Sequence, residues 1–229
     1  MDLVTDYKAI TNENTNNTVT YLRKIYSADN FDEEFIYNIN KYYTALSTWF
    51  SYINCDEEAL NKLLDNILFN YCSLIHCIVF KDNKIIHFLI RNTIESFFRF
   101  CNKDIVSKQV DILFENANKL LPIGDNKNML MNFTSQMKQI YNENCLYIHA
   151  APEKMKLDLN NLLDYQSNQN QDKNNEYLNA KKDFIKVNNA MLCTLLLIYN
   201  QDFKRMKLNA QGYIEEAMNF SDRLKIRNL

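Results

Sequence analysis

Glycine and proline are almost absent from this chain: its 229 residues contain two of each. Sheets and tight hairpins depend on turn residues, and the turns that join strands rely on glycine. Hydrophobic residues make up 47% of the chain and charged residues 24%, so the chain can bury a core and keep a polar surface. The sequence therefore predicts long helices joined by loops rich in asparagine, aspartate and lysine.

Apolar residues recur along the chain at spacings of three and four, the period of helices that bury one face. This period predicts helices over about 15–26, 31–53, 56–80, 84–101, 104–121, 127–149, 153–165, 177–202 and 208–226. The predicted fold class is an all-α, single-domain bundle of roughly seven to nine helices that spans residues 1–229.

Two segments carry little apolar surface for such a bundle. We expect residues 1–14 to be loosely ordered. Residues 166–176 read QSNQNQDKNNE, a polar run of low complexity, and we expect an exposed loop there. The apolar stretch 191–199 should return the helix over 177–202 to the core, which favours one domain over two.

The overall composition argues against several classes of function. The formal net charge is −2, so the chain lacks the global basicity of many nucleic-acid-binding domains, although a local RNA site is compatible with it. Glycine-dependent phosphate loops, nucleophile elbows and dinucleotide fingerprints are absent from the sequence. These absences argue against a kinase, a Rossmann oxidoreductase or an α/β-hydrolase.

The cysteines and the termini bear on cofactors and location. The six cysteines contain no Cys-x-x-Cys pair, which is typical of reduced thiols in a cytosolic protein. Cys72, His76 and Cys77 lie close together, but no second ligand pair follows with zinc-finger spacing, so we expect no metal and no cofactor. The N-terminus is polar, and the apolar run 67–80 is too short to cross a bilayer. We therefore expect a cytoplasmic protein without a membrane segment.

One predicted helix places several polar side chains on a single face. At about 100° per residue, an arc of roughly 100° contains Arg91, Asn92, Glu95 and Arg99. Phe88 lies in the same arc, which indicates that this face is not simply solvated. Two interpretations stay open. One is a surface ladder of i,i+4 ion pairs, each worth about a few tenths of a kcal/mol, and the other is a partly buried network that serves function or specificity.

A second segment carries a histidine at the end of a predicted helix. His149 follows Tyr147 and an apolar turn, and it stands just before small residues and Pro152. A lone histidine is usually structural, but at a helix end it can stand at the rim of a cleft as a general acid or base near neutral pH. We expect His76 and His87, on strongly apolar helices, to be packing residues.

Together the two segments resemble a known group of proteins. An Arg-x-x-x-Glu-x-x-x-Arg helix, followed about fifty residues later by a Tyr-x-His helix end, resembles a branch of the HEPN-like helical superfamily. The resemblance covers IRNTIESFFRF and YIHAAPEK. It implies a helical bundle, frequently dimeric, of the kind common in bacterial toxin–antitoxin, abortive-infection and other phage-defence systems. Many of these proteins are metal-independent ribonucleases.

The resemblance also implies roles for the candidate site residues. His149 would be the acid or base, and Arg91 and Arg99 would stabilise charge on phosphoryl oxygens. Glu95 and Asn92 would orient them, and Tyr147 would line the substrate pocket. Active ribonucleases of this group carry a histidine within two turns after the arginine, whereas no histidine follows Arg91 on its helix. Catalysis would then need groups from two helices or two subunits.

Three functions are left open by the sequence. The first is a defence protein that cleaves or binds RNA through this site. The second is a non-catalytic helical partner or regulatory subunit of a defence or toxin–antitoxin complex, and the third is a structural scaffold. RNA, a protein partner and a second copy of the chain are the expected partners. Tyr42, Tyr43 and Trp49 are candidate exposed aromatics for a dimer.

Overall fold

The structure, a computed structural model, is helical almost throughout the residues that it describes, which are 3–27, 31–53, 57–107, 109–149 and 171–227. Within these ranges, side chains are described except at residues 3–5, 147, 149 and 171–173. The helices are α1 (Leu3–Tyr26), α2 (Glu33–Tyr52), α3 (Glu58–Phe80), α4 (Asn83–Asn102), α5 (Val110–Ala117), α6 (Asp125–His149), α7 (Gln171–Ile198), α8 (Asn200–Arg205), α9 (Leu208–Ala217) and α10 (Phe220–Arg227). These ranges contain no strand, and the prediction of an all-α bundle is confirmed.

Local capping explains where two central helices begin and end. The side chains of Asp32 and Asp82 each accept a hydrogen bond from the backbone amide three residues later, and so cap α2 and α4. Lys81 and Lys103 end α3 and α4 in the left-handed conformation, with φ of 48° and 53°. Residues 81–83, between the predicted helices over 56–80 and 84–101, therefore form a left-handed cap followed directly by an N-cap.

Helix α4 lies at the centre of the bundle and packs against α3, α5, α6 and α7. Its apolar stripe is buried throughout, and it consists of Ile86, Ile90, Ile94, Phe97 and Cys101. The last turns of α7 are also buried, as predicted for the apolar end of that segment. Buried residues from α1 to α10 form one core cluster.

Helix α1 begins at Leu3, so the prediction that residues 1–14 are loosely ordered is wrong for residues 3–14. Tyr7 and Thr11 are almost fully buried, and the Tyr7 hydroxyl donates a hydrogen bond to the carbonyl of Lys41 on α2 at 2.8 Å. Contacts with α2 and α9 hold this helix to the bundle.

Other boundaries also differ from the predicted ones. The segment predicted as one helix over 104–121 is helical only in α5, Val110–Ala117. The segment over 177–202 begins earlier, at Gln171, and divides into α7 and α8, and the last predicted helix divides into α9 and α10. Residues 171–176 of the predicted exposed loop belong to α7, while its other residues and the predicted helix over 153–165 lie outside the described residues.

Two of the aromatic side chains expected to serve a dimer lie in the core. Tyr42 and Trp49 have no exposed surface, because both lie on the buried face of α2, whereas Tyr43 is 37% exposed. The alternation of buried and exposed residues along one amphipathic helix explains why neighbours in sequence differ so much.

Helix α3 is the one helix in the described ranges that is long and apolar enough to cross a membrane. An 18-residue window within its 23 residues has a mean hydropathy of 1.5, and a third of that window is buried. The apolar segment is therefore longer than the run 67–80 suggested. A core helix of a soluble protein meets the same criterion, so the property does not by itself assign a membrane span.

Candidate functional site

The charged residues of the predicted stripe form an ion-paired row on α4. Glu95 Oε1 accepts hydrogen bonds from Arg99 Nε at 3.1 Å and Arg99 Nη2 at 2.8 Å. Arg91 Nη2 lies farther from Glu95, 3.9 Å from Oε2. The side chains of Arg91, Glu95 and Arg99 are only 24%, 23% and 16% exposed. The row is thus half-buried, unlike a solvated surface ladder.

Arg91 connects this row to α6. Its Nε donates to Cys145 Sγ at 3.0 Å, and its Nη2 donates to the Tyr141 hydroxyl at 3.0 Å. The guanidinium carbon lies 5.1 Å from the centroid of the Tyr141 ring. We call Arg91, Glu95, Arg99, Tyr141 and Cys145 the guanidinium cluster. The cross-helix contacts favour the interpretation of a partly buried network over that of a surface ladder.

Arg99 connects the other end of the cluster to the loop after α4. Its Nη1 donates to the carbonyl of Ser107 at 2.9 Å. Asp104 in that loop accepts backbone hydrogen bonds from Ser107 at 2.8 Å and Val106 at 3.1 Å. The Ser107 and Val106 hydrogen bonds, together with the charge of Arg99, hold the pKa of Asp104 below its usual value. The loop is therefore fixed against the end of the cluster.

The protonation states of the cluster follow from its surroundings. Desolvation lowers the pKa of Arg91, but its interactions with Tyr141 and Cys145 outweigh that effect, and the net shift is upward. Burial raises the pKa of Tyr141 to about 12, against the opposing effect of Arg91. At neutral pH Arg91 is a cation and Tyr141 is a neutral donor. Two guanidiniums and one carboxylate leave one positive charge in the cluster.

Asn92 faces away from the cluster, towards α3. Its amide donates to Asn70 Oδ1 at 3.3 Å, and Asn70 donates in turn to Thr93 Oγ1 at 3.0 Å. Asn66 donates to Ser96 Oγ at 2.8 Å in the same seam. The structure therefore places Asn92 in a polar seam between α3 and α4 and does not bring it together with the two arginines.

Helices α4 and α6 run antiparallel beside the cluster. His87 Nδ1 lies 2.5 Å from Asn144 Oδ1, and Arg91, one turn later on α4, contacts Tyr141, almost one turn earlier on α6. His87 is 6% exposed, which confirms the prediction that it packs in the core. Burial lowers its pKa, against the raising effects of Asn144 and of Glu176 on α7. The pairing also fixes the register between the two helices.

This register determines where the end of α6 lies. Tyr147 and His149 belong to its last turn, and their side chains lie outside the described residues. At about 1.5 Å of rise per residue, the backbone of His149 lies about 20 Å along the helix axes from the level of Arg99 and about 10 Å from the level of Arg91. Within one chain, the structure does not bring His149 together with Arg99.

Tyr141 and Cys145 are members of the cluster that the sequence analysis missed. They precede His149 at spacings of four residues, so Tyr141, Cys145 and His149 occupy one face of α6. That spacing was the available signal. It could not say which face of α6 turns towards α4, because only the packing of the helices decides this.

The remaining candidates for ligand binding are few. In the part of the chain that the structure describes, no three side chains of His, Cys, Asp or Glu lie close enough together to hold a metal ion. His76, which lies near Cys72 and Cys77 in the sequence, is half-buried and forms a hydrogen bond of 2.8 Å with the Tyr26 hydroxyl. Burial, with a contribution from Asp82, raises the pKa of Cys77 to about 11.

No family model, no curated protein and no solved structure matches this chain. Its function is therefore inferred from its own residues and their geometry.

Proposed function

We propose that this chain is a HEPN-like bacterial defence protein, of the abortive-infection or toxin type, that binds RNA through the guanidinium cluster. One observation carries the proposal: two half-buried arginines share a single carboxylate and leave a positive charge at the surface. Arg91 Nη1 has no hydrogen-bond partner among the described residues, so it can donate to a bound oxygen. The planar forks of arginine match the oxygens of a phosphate group.

An exposed aromatic ring beside the cluster favours single-stranded RNA. Phe88 is 45% exposed and lies three residues before Arg91, on the same side of α4. Proteins that bind unpaired RNA stack its bases on exposed aromatic side chains next to cationic groups that contact the backbone. The resemblance to the HEPN-like superfamily supports RNA as the ligand.

The geometry favours binding over cleavage by one isolated chain. An acid or base must come within hydrogen-bond distance of the reacting group, and the level of His149 is about 20 Å from that of Arg99. Arg91 is the arginine nearer to His149, because its level along the helix axes is about 10 Å from that of His149. We therefore propose that any metal-independent ribonuclease activity depends on Arg91 and His149, from one chain or from two subunits, while Arg99, held by Glu95, supplies a second phosphate contact for RNA binding.

Binding is tested by fluorescence anisotropy with a labelled single-stranded RNA of about 20 nucleotides. Replacement of Arg91 by glutamine should weaken binding and reduce the magnitude of the salt slope by about 0.7, because one phosphate contact with the single strand is lost. Arg205→Gln is the matched control, since Arg205 is 77% exposed beside Asp202 on α8, far along the chain from the cluster. Equal affinities of wild type and Arg91→Gln would contradict the proposal.

Cleavage is tested separately, with the same RNA in the presence of a metal chelator. If the chain is a ribonuclease, the wild type cleaves, and Arg91→Ala and His149→Ala do not, while circular dichroism shows the same helix content for all three. Expression of the same variants in growing cells then shows whether toxicity follows RNA cleavage. If all three proteins bind the RNA and none cleaves it, the ribonuclease activity is contradicted and only RNA binding remains proposed.

A non-catalytic partner or regulatory subunit of a defence or toxin–antitoxin complex is the second candidate. The separation of His149 from Arg99 favours it, because such a module needs no assembled acid–base pair. It predicts that the purified chain neither binds RNA nor slows growth, and that it co-purifies with the protein encoded beside it. Binding of RNA by the isolated chain through Arg91 would contradict this candidate.

A further inference from the structure

The outer side of α3 carries an apolar stripe that α1 covers only in part, where Tyr26 hydrogen-bonds to His76 and packs its ring 5.3 Å from that of Phe80. Phe69, Cys72, His76 and Phe80 follow one another at spacings of three and four residues and so share one face of the helix. Phe69 is 68% exposed and Phe80 is 59% exposed. Cys72 is exposed between them. Large aromatic side chains seldom stand this far into solvent on a helix that also lines the core.

Helix α1 extends the stripe into a wider surface. Tyr21 and Ile25, one turn apart, are 49% and 50% exposed. The Tyr21 ring lies 6.1 Å from the His76 ring, and a groove of about 360 Å³ separates the two helices there. We define the α1–α3 face as Tyr21, Ile25, Phe69, Cys72, His76 and Phe80. The face is continuous, because residues of both helices line the groove.

The area of this face matches what a dimer interface needs. An aromatic side chain carries about 150–250 Å², so at their exposures the three aromatic rings of Tyr21, Phe69 and Phe80, together with the smaller Ile25, offer roughly 400 Å² of apolar surface. A standard interface buries about 800 Å² on each partner, of which about 56–65% is non-polar. The α1–α3 face therefore supplies most of the apolar area that one partner contributes.

The charges around the face are arranged so that a second copy fits. The N-terminal end of α3 carries an acidic excess in the exposed residues Glu57, Glu58, Lys62 and Asp65. The other end of the face carries the exposed Lys24 of α1, and the exposed cap residue Lys81 follows α3 there with its ammonium 5.8 Å from the centroid of the Tyr177 ring, while Asp82 is engaged as the cap of α4. In a pair related by a two-fold axis with antiparallel α3 helices, the acidic end of each copy meets the basic end of the other.

We propose that the α1–α3 face is the isologous interface of a homodimer in which α3 packs antiparallel against its copy. The apolar stripe forms the centre of the interface, and the charged ends form its rim. Cys72 lies close to the middle of the stripe, so the two-fold axis brings the two Cys72 residues near each other. The interface does not use the guanidinium cluster. The proposal of a dimer therefore does not depend on whether the protein binds RNA.

The proposal is tested by sedimentation equilibrium of the full chain at micromolar concentration. The wild type should be a dimer, and Phe69→Glu should weaken dimerisation at least about 30-fold, because an apolar anchor is replaced by a charge. Phe69 is exposed in the monomer, so its substitution should leave the fold intact. The matched control is Ile123→Glu, a site 94% exposed outside the face, and this variant should remain a dimer.

Thiol crosslinking tests whether Cys72 lies near the two-fold axis of the dimer. A short bismaleimide should join two wild-type chains through Cys72, and Cys72→Ser should abolish the product. A monomeric wild type, or a dimer that Phe69→Glu leaves unchanged, would overturn the proposal. Sedimentation of a monomer with anionic phospholipid vesicles would overturn it in favour of a lipid surface, and crosslinking that survives Cys72→Ser would overturn the placement of Cys72 at the two-fold axis.

Discussion

Asp183, a carboxylic acid on α7, shows at the residue scale how packing changes the chemistry of one side chain. Burial raises its pKa to about 6 from an ordinary value of 3.8; the charge of Glu143 on α6 adds to the rise, and that of Lys186 opposes it. Because the folded pKa exceeds the unfolded one, the charged form costs stability. The cost is absent below the unfolded value of 3.8 and complete above about 6.

Substitution of Asp183 by asparagine should therefore stabilise the protein at neutral and higher pH. We expect the free energy of unfolding at pH about 8 to rise by about 1 kcal/mol, a value reduced for solvent screening, and to be unchanged at pH about 3.5. Urea unfolding followed by circular dichroism at both pH values measures it. Glu115→Gln, at an exposed site on α5 outside the proposed dimer interface, is the matched control and should not change stability in this way. A gain of equal size at both pH values would contradict the role of the charge.

The guanidinium cluster shows which residues of a site can be predicted from a sequence. Arg91, Glu95 and Arg99 belong to one helix, and helical spacing alone places them together. Asn92 shares their arc but hydrogen-bonds to α3, because a side chain at the edge of an arc can turn to either neighbour. Tyr141 comes from another helix, so its contact with Arg91 depends on tertiary packing that periodicity does not contain.

At the scale of elements, α1 shows why a buried helix can resemble a polar segment. Thr11 and Thr15 lie on its buried face, where apolar residues are expected. Each threonine hydroxyl donates to the carbonyl four residues earlier, at 3.1 Å and 2.7 Å. Because the hydroxyl is satisfied within the helix, burial costs little, and the hydrophobic pattern that marks the core is weakened. The long central helices carry a stronger pattern and were predicted.

For helix α5 the predicted boundary is wrong in the other direction: the predicted helix begins at about residue 104, before the observed one. Aspartate is a preferred N-cap residue, but the Asp104 carboxylate accepts hydrogen bonds from the backbone amides of Val106 and Ser107 in a loop. Arg99 stabilises that loop by binding the Ser107 carbonyl. Local capping preference is therefore overridden by a contact with the preceding helix, and α5 begins at Val110.

Lys181 connects α7 to the beginning of α2 and provides a prediction at this scale. Its Nζ lies 2.9 Å from Asp32 Oδ1 and 2.7 Å from Glu34 Oε2, and its side chain is 11% exposed. Lys181→Met should lower the free energy of unfolding by about 2–3 kcal/mol, because Asp32 is left half-buried without its partner. Thermal and urea unfolding measure the loss.

The neighbouring lysine serves as the matched control. Lys182 follows Lys181 on α7 and is exposed, so Lys182→Met removes the same charge without breaking a half-buried pair. Its effect should stay within about 0.5 kcal/mol. Equal effects of the two substitutions would show that the ion pair with Asp32 does not stabilise the docking of α7.

At the scale of the whole molecule, a net charge of −2 is combined with a local positive site. An acidic chain offers nucleic acid no broad electrostatic surface, and its mean field repels the phosphate backbone. Binding through the guanidinium cluster must then rest on a few direct contacts, from Arg91 and Arg99. This separates the chain from basic RNA-binding domains, in which many lysines and arginines act together.

The dependence of RNA affinity on salt follows from this count of contacts. For single strands, the logarithm of the binding constant falls with the logarithm of salt at about −0.7 for each phosphate neutralised, so two arginines predict a slope of about −1.4. Between about 50 and 200 mM KCl the affinity should fall about sevenfold, against a thousandfold or more for extended basic surfaces. Anisotropy titrations over this range measure the slope. A slope near zero would exclude phosphate contacts, and a slope steeper than about −4 would place the RNA on a surface larger than the guanidinium cluster.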